Sequence, residues 1–299
     1  MDRIIRCMTG SGGVMAAAID STYLVATAQQ LHHTSAVATA ALGRLLTASS
    51  MMGAMLKEKD ASVTLKISGG GPLGTLTAIA DSSGNCRAGI EHPDVELPLK
   101  PNGKLDVGAA VGNNGLLGVI RDFGEGVPYS GQVRLQSGEI AEDIAHYYAV
   151  SEQIPTVCAL GVLVDKNDIR RLLAGGMLIQ VMPGASESDI DRLEKNAAAL
   201  EPVTTMLAKG MSTEDMCRAA LKGFELEILD EIPVSYVCHC SRERVERALA
   251  TLKPKDIVSL AEEQGYAEIK CQYCNRVYRL TRGELENIAA SAARSSGQK

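Results

Sequence analysis

Two short apolar runs open the chain, "DRIIRC" and "GGVMAAAI", and the Gly-rich turn between them marks the pair as neighbouring strands. Ser21 or Thr22 is placed to cap a following helix. From Ser35, "SAVATAALGRLLTASSMMGAMLKEK" is helical in composition and apolar on most sides, which predicts a buried helix. "SVTLKISGGGPLGTLTAIADSSGNCRAGI" then alternates apolar and polar positions around Gly-rich turns, the period-two signature of antiparallel strands. "GLLGVIRDF" and "YSGQVRL" extend that pattern. "SGEIAEDIAHYYAVSEQ" predicts a helix with a capping-box start at Ser137 and an acidic first turn. "LGVLVD" and "GMLIQVMPG" read as closing strands. Strands and helices mixed in this way predict an α+β core over residues 1–184.

The pattern changes after Gly184. Residues 185–232 read as an acidic, helical linker in which Ile190, Leu193, Leu200, Met206, Leu207, Met211, Met216 and Leu221 recur at near-helical spacing. Ser212, acting through Asp215, caps one of its helices, and Gly223 is placed to stop it. That apolar stripe has two readings. It packs against the core, or it is a latent surface for unfolded partners, to which its flexible methionines adapt. Glu187, Asp189, Asp191, Glu194, Glu201, Glu214 and Asp215 would keep such a segment soluble once it opened. "FELEILDEIP" leads out to Pro233, and residues 233–299 form a small module with a polar, helical tail that frays.

Composition narrows the setting. The 299 residues have room for one large core and a smaller satellite domain. With no tryptophan and two phenylalanines, the cores must be built from Ala, Leu, Ile, Val and Met. A net charge of −6 weighs against a nucleic-acid partner, whose phosphates demand a basic face. No signal peptide is expected, and no run approaches the ~18 apolar residues of a membrane span. A cytoplasmic location is the resulting expectation, and there thiols stay reduced.

In a reduced compartment, Cys238-x-Cys240 and Cys271-x-x-Cys274 are a zinc signal. Alternate residues on a strand share a face, so Cys238 and Cys240 on a strand would reach one ion together. The second spacing fits the tight turn of zinc knuckles. Four thiolates close the coordination sphere, which argues for structure or redox sensing and against Lewis-acid catalysis. A disulfide between Cys238 and Cys240 would be strained and easily reduced, which suits reversible oxidation. Arg242, Arg244, Lys270 and Arg276 either favour thiolate or neutralise a zinc tetrathiolate. The residues alone leave a permanent structural zinc and a redox sensor both open.

The other candidates carry less. Cys7, Cys86, Cys158 and Cys217 are scattered singly and read as small buried residues. His32 and His33 are adjacent on a helix and poorly placed to share an ion. His146 has no evident partner in sequence, and "SGGGPLG" lacks both nucleotide-loop fingerprints and reads as a hairpin turn. "SRERVERALATLKPK" is locally basic beside the cysteines, but Glu243 and Glu246 dilute it and no aromatic–basic interleaving suggests base stacking. An enzymatic role finds no carboxylate pair, nucleophile–base spacing or cofactor fingerprint.

"CHCSRERVERAL" with "CQYCNRVY" resembles the C-terminal zinc motif of the redox-regulated 33 kDa chaperonin family, the heat-shock protein 33 type. "ATAALGRLLTASSMMGAMLK", "GPLGTLTAIAD", "GKLDVGAAVG", "YSGQVRLQSGEIAEDIAHYYAVSEQIP" and "LGVLVD" resemble that family's core in the same order. The resemblance implies an ATP-independent holdase that is inactive while Cys238, Cys240, Cys271 and Cys274 hold Zn2+. Oxidation would then form Cys238–Cys240 and Cys271–Cys274 disulfides, release the metal, unfold the linker and produce a homodimer that binds unfolding client proteins. It implies no enzyme, nucleic-acid or membrane role. His239 stands where family members often carry Asp or another polar residue. Its side chain is expected to point away from the metal.

Overall fold

The computed structural model describes residues 1–164 and 172–296, so Asp165, expected to end the "LGVLVD" strand, lies outside the described residues. The chain divides into two compact units, Met1–Val237 and Cys238–Lys299.

The first unit contains two five-stranded antiparallel sheets. Its elements are β1 (Arg3–Thr9), β2 (Val14–Asp20), α1 (Thr22–His32), α2 (Ala36–Ala54), β3 (Ser62–Ser68), β4 (Thr75–Asp81), β5 (Cys86–Ile90) and α3 (Val107–Val111). They continue with β6 (Leu116–Asp122), β7 (Tyr129–Arg134), α4 (Ala141–Tyr147), β8 (Thr156–Val164) and β9 (Leu172–Val181). Then come α5 (Glu187–Ala199), α6 (Val203–Ala208), α7 (Thr213–Ala220) and β10 (Leu226–Pro233). One sheet runs β10-β1-β2-β9-β8 and the other β5-β4-β3-β6-β7.

Helix α2 is the centre of the main core, as its all-round apolar composition predicts. Every residue in it except Ala36 and Arg44 is buried. Its buried hydroxyls are satisfied locally: Thr47 donates to the Gly43 carbonyl at 2.7 Å and Ser50 to the Gly84 carbonyl at 2.6 Å. At Gly53 an added Cβ would lie 2.4 Å from the Asp81 carbonyl oxygen, so only glycine lets the helix approach β4 this closely.

Two caps differ from the sequence expectation. The Ser21 hydroxyl is paired with the Thr47 hydroxyl at 2.7 Å, leaving α1 to be capped from elsewhere. Asp20 accepts from the Thr22 amide, and the buried Asp2 carboxylate accepts from Tyr23 and Leu24 at 3.1 and 2.6 Å. Likewise α4 starts not at Ser137 but after Ile140, held at φ 73°, where buried Asp143 accepts from the Gln136, Ser137 and Ile140 amides. Beyond α4 the chain widens into a π-helical turn, Tyr148–Glu152.

Strand alternation separates two apolar layers. Ile4, Ala17, Ile19, Ala174 and Leu178 face the main core with α2, whereas Ile5, Cys7, Ala16, Ala18, Met177 and Ile179 face the other way. That second face is covered by α5, α6 and α7 through Leu193, Val203, Met206, Met216, Cys217, Ala220 and Leu221. "FELEILDEIP", expected as an exit at Pro233, instead supplies β10, an edge strand antiparallel to β1 from Thr9↔Leu226 to Arg3↔Pro233. Two of its acids pair with β1: Glu231 with Arg3 at 2.6 Å, and Asp230 with Arg6. Among the described residues, no helix is long and apolar enough to cross a membrane.

The second unit holds α8 (Arg242–Leu249), α9 (Pro254–Gln264), a hairpin of β11 (Tyr266–Lys270) and β12 (Val277–Thr281), and α10 (Arg282–Ser296). Its core is small: Leu249, Ile257, Ala267, Leu280, Leu285, Ala289 and Ala292 are buried together.

Candidate metal centre

The β11–β12 hairpin makes one half of the centre. Cys271 follows β11 directly, and its amide donates to the Arg276 carbonyl while the Asn275 amide donates back to the Cys271 carbonyl, both at 2.9 Å. Asn275 closes this turn in the left-handed region, φ 58°, which asparagine tolerates better than most residues. The turn points Cys271 and Cys274 to one side, as the x-x spacing predicts.

The other half departs from expectation. Cys238 and Cys240 lie in irregular chain ahead of α8 rather than on a strand. Ser241 and Arg242 set their orientation. Ser241 caps α8, its hydroxyl accepting from the Arg244 amide at 3.3 Å. Arg242 reaches Glu246 at 3.1 Å, Glu284 at 2.5 Å and the Arg279 carbonyl at 3.1 Å, tying the start of α8 to β12 and α10. Its charge is thereby matched by carboxylates. Arg276 is held above its ordinary pKa, first by its hydrogen bond with Tyr278 and then by the charge of the Cys240 and Cys274 sulfurs.

The structure brings all four predicted ligands together. The Sγ atoms of Cys238, Cys240, Cys271 and Cys274 lie within 4.8 Å of one another, with Cys238–Cys271 at 3.7 Å and Cys240–Cys274 at 3.3 Å. Tetrahedral thiolates bound at ~2.3 Å sit ~3.8 Å apart, so this cage has the dimensions of a four-sulfur metal site. All four thiols are free and half-buried. His239 is exposed and outside the group.

Tyr278 is the neighbour that sequence reasoning missed. Its hydroxyl donates to Cys240 Sγ at 3.1 Å. Burial opposes ionisation of Cys240, but hydrogen bonds from Tyr278 and the other three thiols outweigh it and bring the pKa down to about 7. Burial together with its hydrogen bonds to the neighbouring thiols pushes Cys238 up to about 12. The cage thus holds an early thiolate on one arm of the doublet and a late one on the other.

The remaining candidates are dispersed. Leu193, Met206, Met216 and Leu221 are buried against the β1-β2-β9 face, while Leu200, Leu207 and Met211 border the same layer partly buried. Ile190 is half-buried outside that cluster. His32 is buried with Nε2 2.9 Å from the Ala88 carbonyl, and His33 ends α1 at φ 53°. Cys7, Cys86 and Cys217 are buried and Cys158 half-buried.

Comparison with known proteins points the same way. A family model described as "Hsp33 protein" matches residues 2–281. The 33 kDa chaperonin of Clostridioides difficile is 45% identical over 287 residues, covering 96% of this chain and 98% of its own. The 33 kDa chaperonin of Agathobacter rectalis is 46% identical, with coverage of 96% and 99%. The crystal structure of the 33 kDa chaperonin (heat shock protein 33 homolog) from Thermotoga maritima superimposes with a TM-score of 0.87 at 33% identity, covering 98% of this chain and 99% of that one.

Proposed function

The chain belongs to the Hsp33 family, and from that premise we propose that it is a redox-regulated, ATP-independent holdase whose switch is the four-cysteine centre. The observation that carries this reading is a cage of four sulfurs within 4.8 Å inside a unit whose core, among the described residues, has only seven buried members.

Zn2+ is the ion that best suits four thiolates at this spacing, and when bound it supplies structure rather than catalysis. Cys238, Cys240, Cys271 and Cys274 would hold it. So small a core is marginal alone, and structural zinc in small domains contributes ~10–16 kcal/mol of apparent folding free energy.

Oxidation removes that contribution. Peroxide or hypochlorous acid accepts two electrons from each pair as Cys271–Cys274 and then Cys238–Cys240 close to disulfides. The turn-borne pair closes first because its spacing strains the bond less. With no thiolate left to bind metal, residues 238–296 lose their order, and residues 185–232 leave the sheet. The exposed layer, lined by Leu193, Met206, Met216 and Leu221 on the helices, then takes up unfolding client proteins by non-directional apolar contact. The oxidised form is a homodimer and works in the cytoplasm.

The test is zinc content and suppression of a heat-denatured client's aggregation, measured before and after peroxide at elevated temperature and again after a reductant. Zinc loss coincident with gain of suppression, reversed by the reductant, supports the reading. Suppression that is the same in all three states contradicts it.

A further inference from the structure

Cys7 and Cys217 both lie in the apolar layer between the sheet and the linker helices. Cys7 lies in β1, opposite Ala16 of β2, just past a bulge that shifts the β1–β10 register between Arg6 and Cys7. With Ile5 it faces the α5–α7 side of the sheet. Cys217 lies on α7 among Met216, Ala220 and Leu221, in the same cluster. Both cysteines are 0% exposed and both are free thiols.

Helix α7 packs on β1 and β2, so both sulfurs lie in the layer between that helix and the sheet. A hydrogen bond from the Cys217 thiol lowers the pKa of Cys7 despite burial, and Arg218 adds to that effect. The same contact, reinforced by burial, raises Cys217. One sulfur is therefore the readier nucleophile and the other keeps its proton. Cys86 and Cys158 differ: burial pushes both thiols up, Cys158 to about 12.

We propose that Cys7 and Cys217 are a second redox site, a dithiol that closes to a disulfide and staples α7 to β1. The function assigned to the staple rests on the reading that residues 185–232 leave the sheet on activation; a covalent tie at α7 opposes that departure. The two redox sites thus have opposite signs. Oxidation of the four-cysteine centre frees the linker, and oxidation of the buried pair holds it.

The chemistry needs hydrogen peroxide as oxidant. The Cys7 thiolate attacks one peroxide oxygen, the O–O bond breaks, and hydroxide leaves as Cys7 becomes a sulfenic acid. The Cys217 sulfur then attacks the Cys7 sulfur and displaces the hydroxyl, which departs as water with the Cys217 proton. Hydroxide takes up the proton Cys7 first released. In net terms two thiols and one peroxide give a disulfide and two waters, two electrons passing from sulfur to oxygen. Because both sulfurs are buried, peroxide reaches them through brief local opening of the short α7, so this pair reacts after the half-exposed centre. The staple then acts on molecules whose linker is still docked, and it sets the dose and time over which they can be activated.

Peptide mapping of the full-length chain tests this without any variant. Trypsin cuts after Arg6 and Arg44, and after Lys209 and Arg218, leaving Cys7 and Cys217 each in a peptide with no other cysteine. The reduced protein is treated with peroxide, remaining thiols are alkylated, and the digest is run unreduced. The expected result is a linked pair of these peptides, two hydrogens lighter than their sum, that a dithiol reductant separates. In linked molecules the α7 amides should exchange with solvent more slowly, by roughly tenfold or more, than in unlinked ones. Cys217→Ala and Cys7→Ala chains should release the linker faster under the same dose. Consumption of the C-terminal thiols without any Cys7–Cys217 peptide overturns the proposal, as does a linked form whose α7 exchanges as fast as the unlinked form. The linked peptide is read by mass alone, independently of zinc and client assays. Its absence from a protein that does switch refutes the staple only, and its presence in a protein that never switches refutes the holdase reading only.

Discussion

The Tyr278 hydroxyl donates a 3.1 Å hydrogen bond to Cys240 Sγ, so the thiol that ionises early in the cage owes part of its acidity to a residue on the facing hairpin strand. Tyr278→Phe removes that donor, together with the hydroxyl's contact to Arg276. In metal-free protein, the Cys240 pKa should rise from about 7 by about one unit. The ultraviolet absorbance of thiolate, followed against pH in wild-type and variant chains that both keep all their cysteines, reads the shift as a displaced first step. An unmoved titration would show that the hydroxyl does not stabilise the thiolate.

Met216 is fully buried between α7 and the sheet, whereas Met211 only borders that layer. Met216→Ala should weaken docking of the linker by about 2–5 kcal/mol, and Met211→Ala by about 1 kcal/mol or less. Hydrogen exchange of residues 203–221 in the reduced protein checks the ranking. Met216→Ala should also suppress client aggregation with less oxidant. Equal protection in the two variants would mean that the stripe contributes little to holding the linker down.

Asp2 carries a pH dependence of its own. Burial pushes its carboxyl to about 6 from an ordinary 3.8, partly offset by the Leu24 and Tyr23 amides it caps. The folded chain therefore keeps a proton that the unfolded chain gives up. The stability this confers is complete below pH 3.8 and is lost as pH rises through about 6. Relative to Asp2→Asn, the wild-type protein should lose about 3 kcal/mol over that window. Denaturant titrations of both proteins at about pH 4 and about pH 7 measure the difference. Parallel behaviour would place the carboxyl at its ordinary pKa.

The order of oxidation is open to a single substitution. Cys271→Ser removes one ligand and forecloses the Cys271–Cys274 disulfide. If that bond forms first, peroxide-driven zinc release in the variant should depart from the wild-type rate, since only Cys238, Cys240 and Cys274 remain to pair. Release at the wild-type rate would contradict the order.

Local patterns made much of this legible. Alternation found the strands, the all-round apolar run found buried α2, and the two cysteine spacings found all four sulfurs, because these signals lie in neighbouring residues. What escaped depends on tertiary contact. Asp2 reaches α1 only once β1 is folded, and Asp143 displaces Ser137 because the backbone reverses at Ile140. β10 escaped because its exposed, acidic edge resembles a linker until Arg3 and Arg6 of β1 lie beside it. The Tyr278–Cys240 hydrogen bond and the shared burial of Cys7 and Cys217 likewise join residues far apart in sequence. The doublet reaches the cage without the strand that its spacing suggested, since the cap at Ser241 and the ties of Arg242 position it.

The most direct measurement pairs elemental analysis of the reduced, purified protein with hydrogen exchange of residues 238–296, before and after a chelator. A zinc-held switch predicts one zinc per chain, and loss of protection across that unit when the metal is withdrawn while the α2 amides stay protected. Reduced protein that contains no metal and yet keeps residues 238–296 fully protected would contradict it.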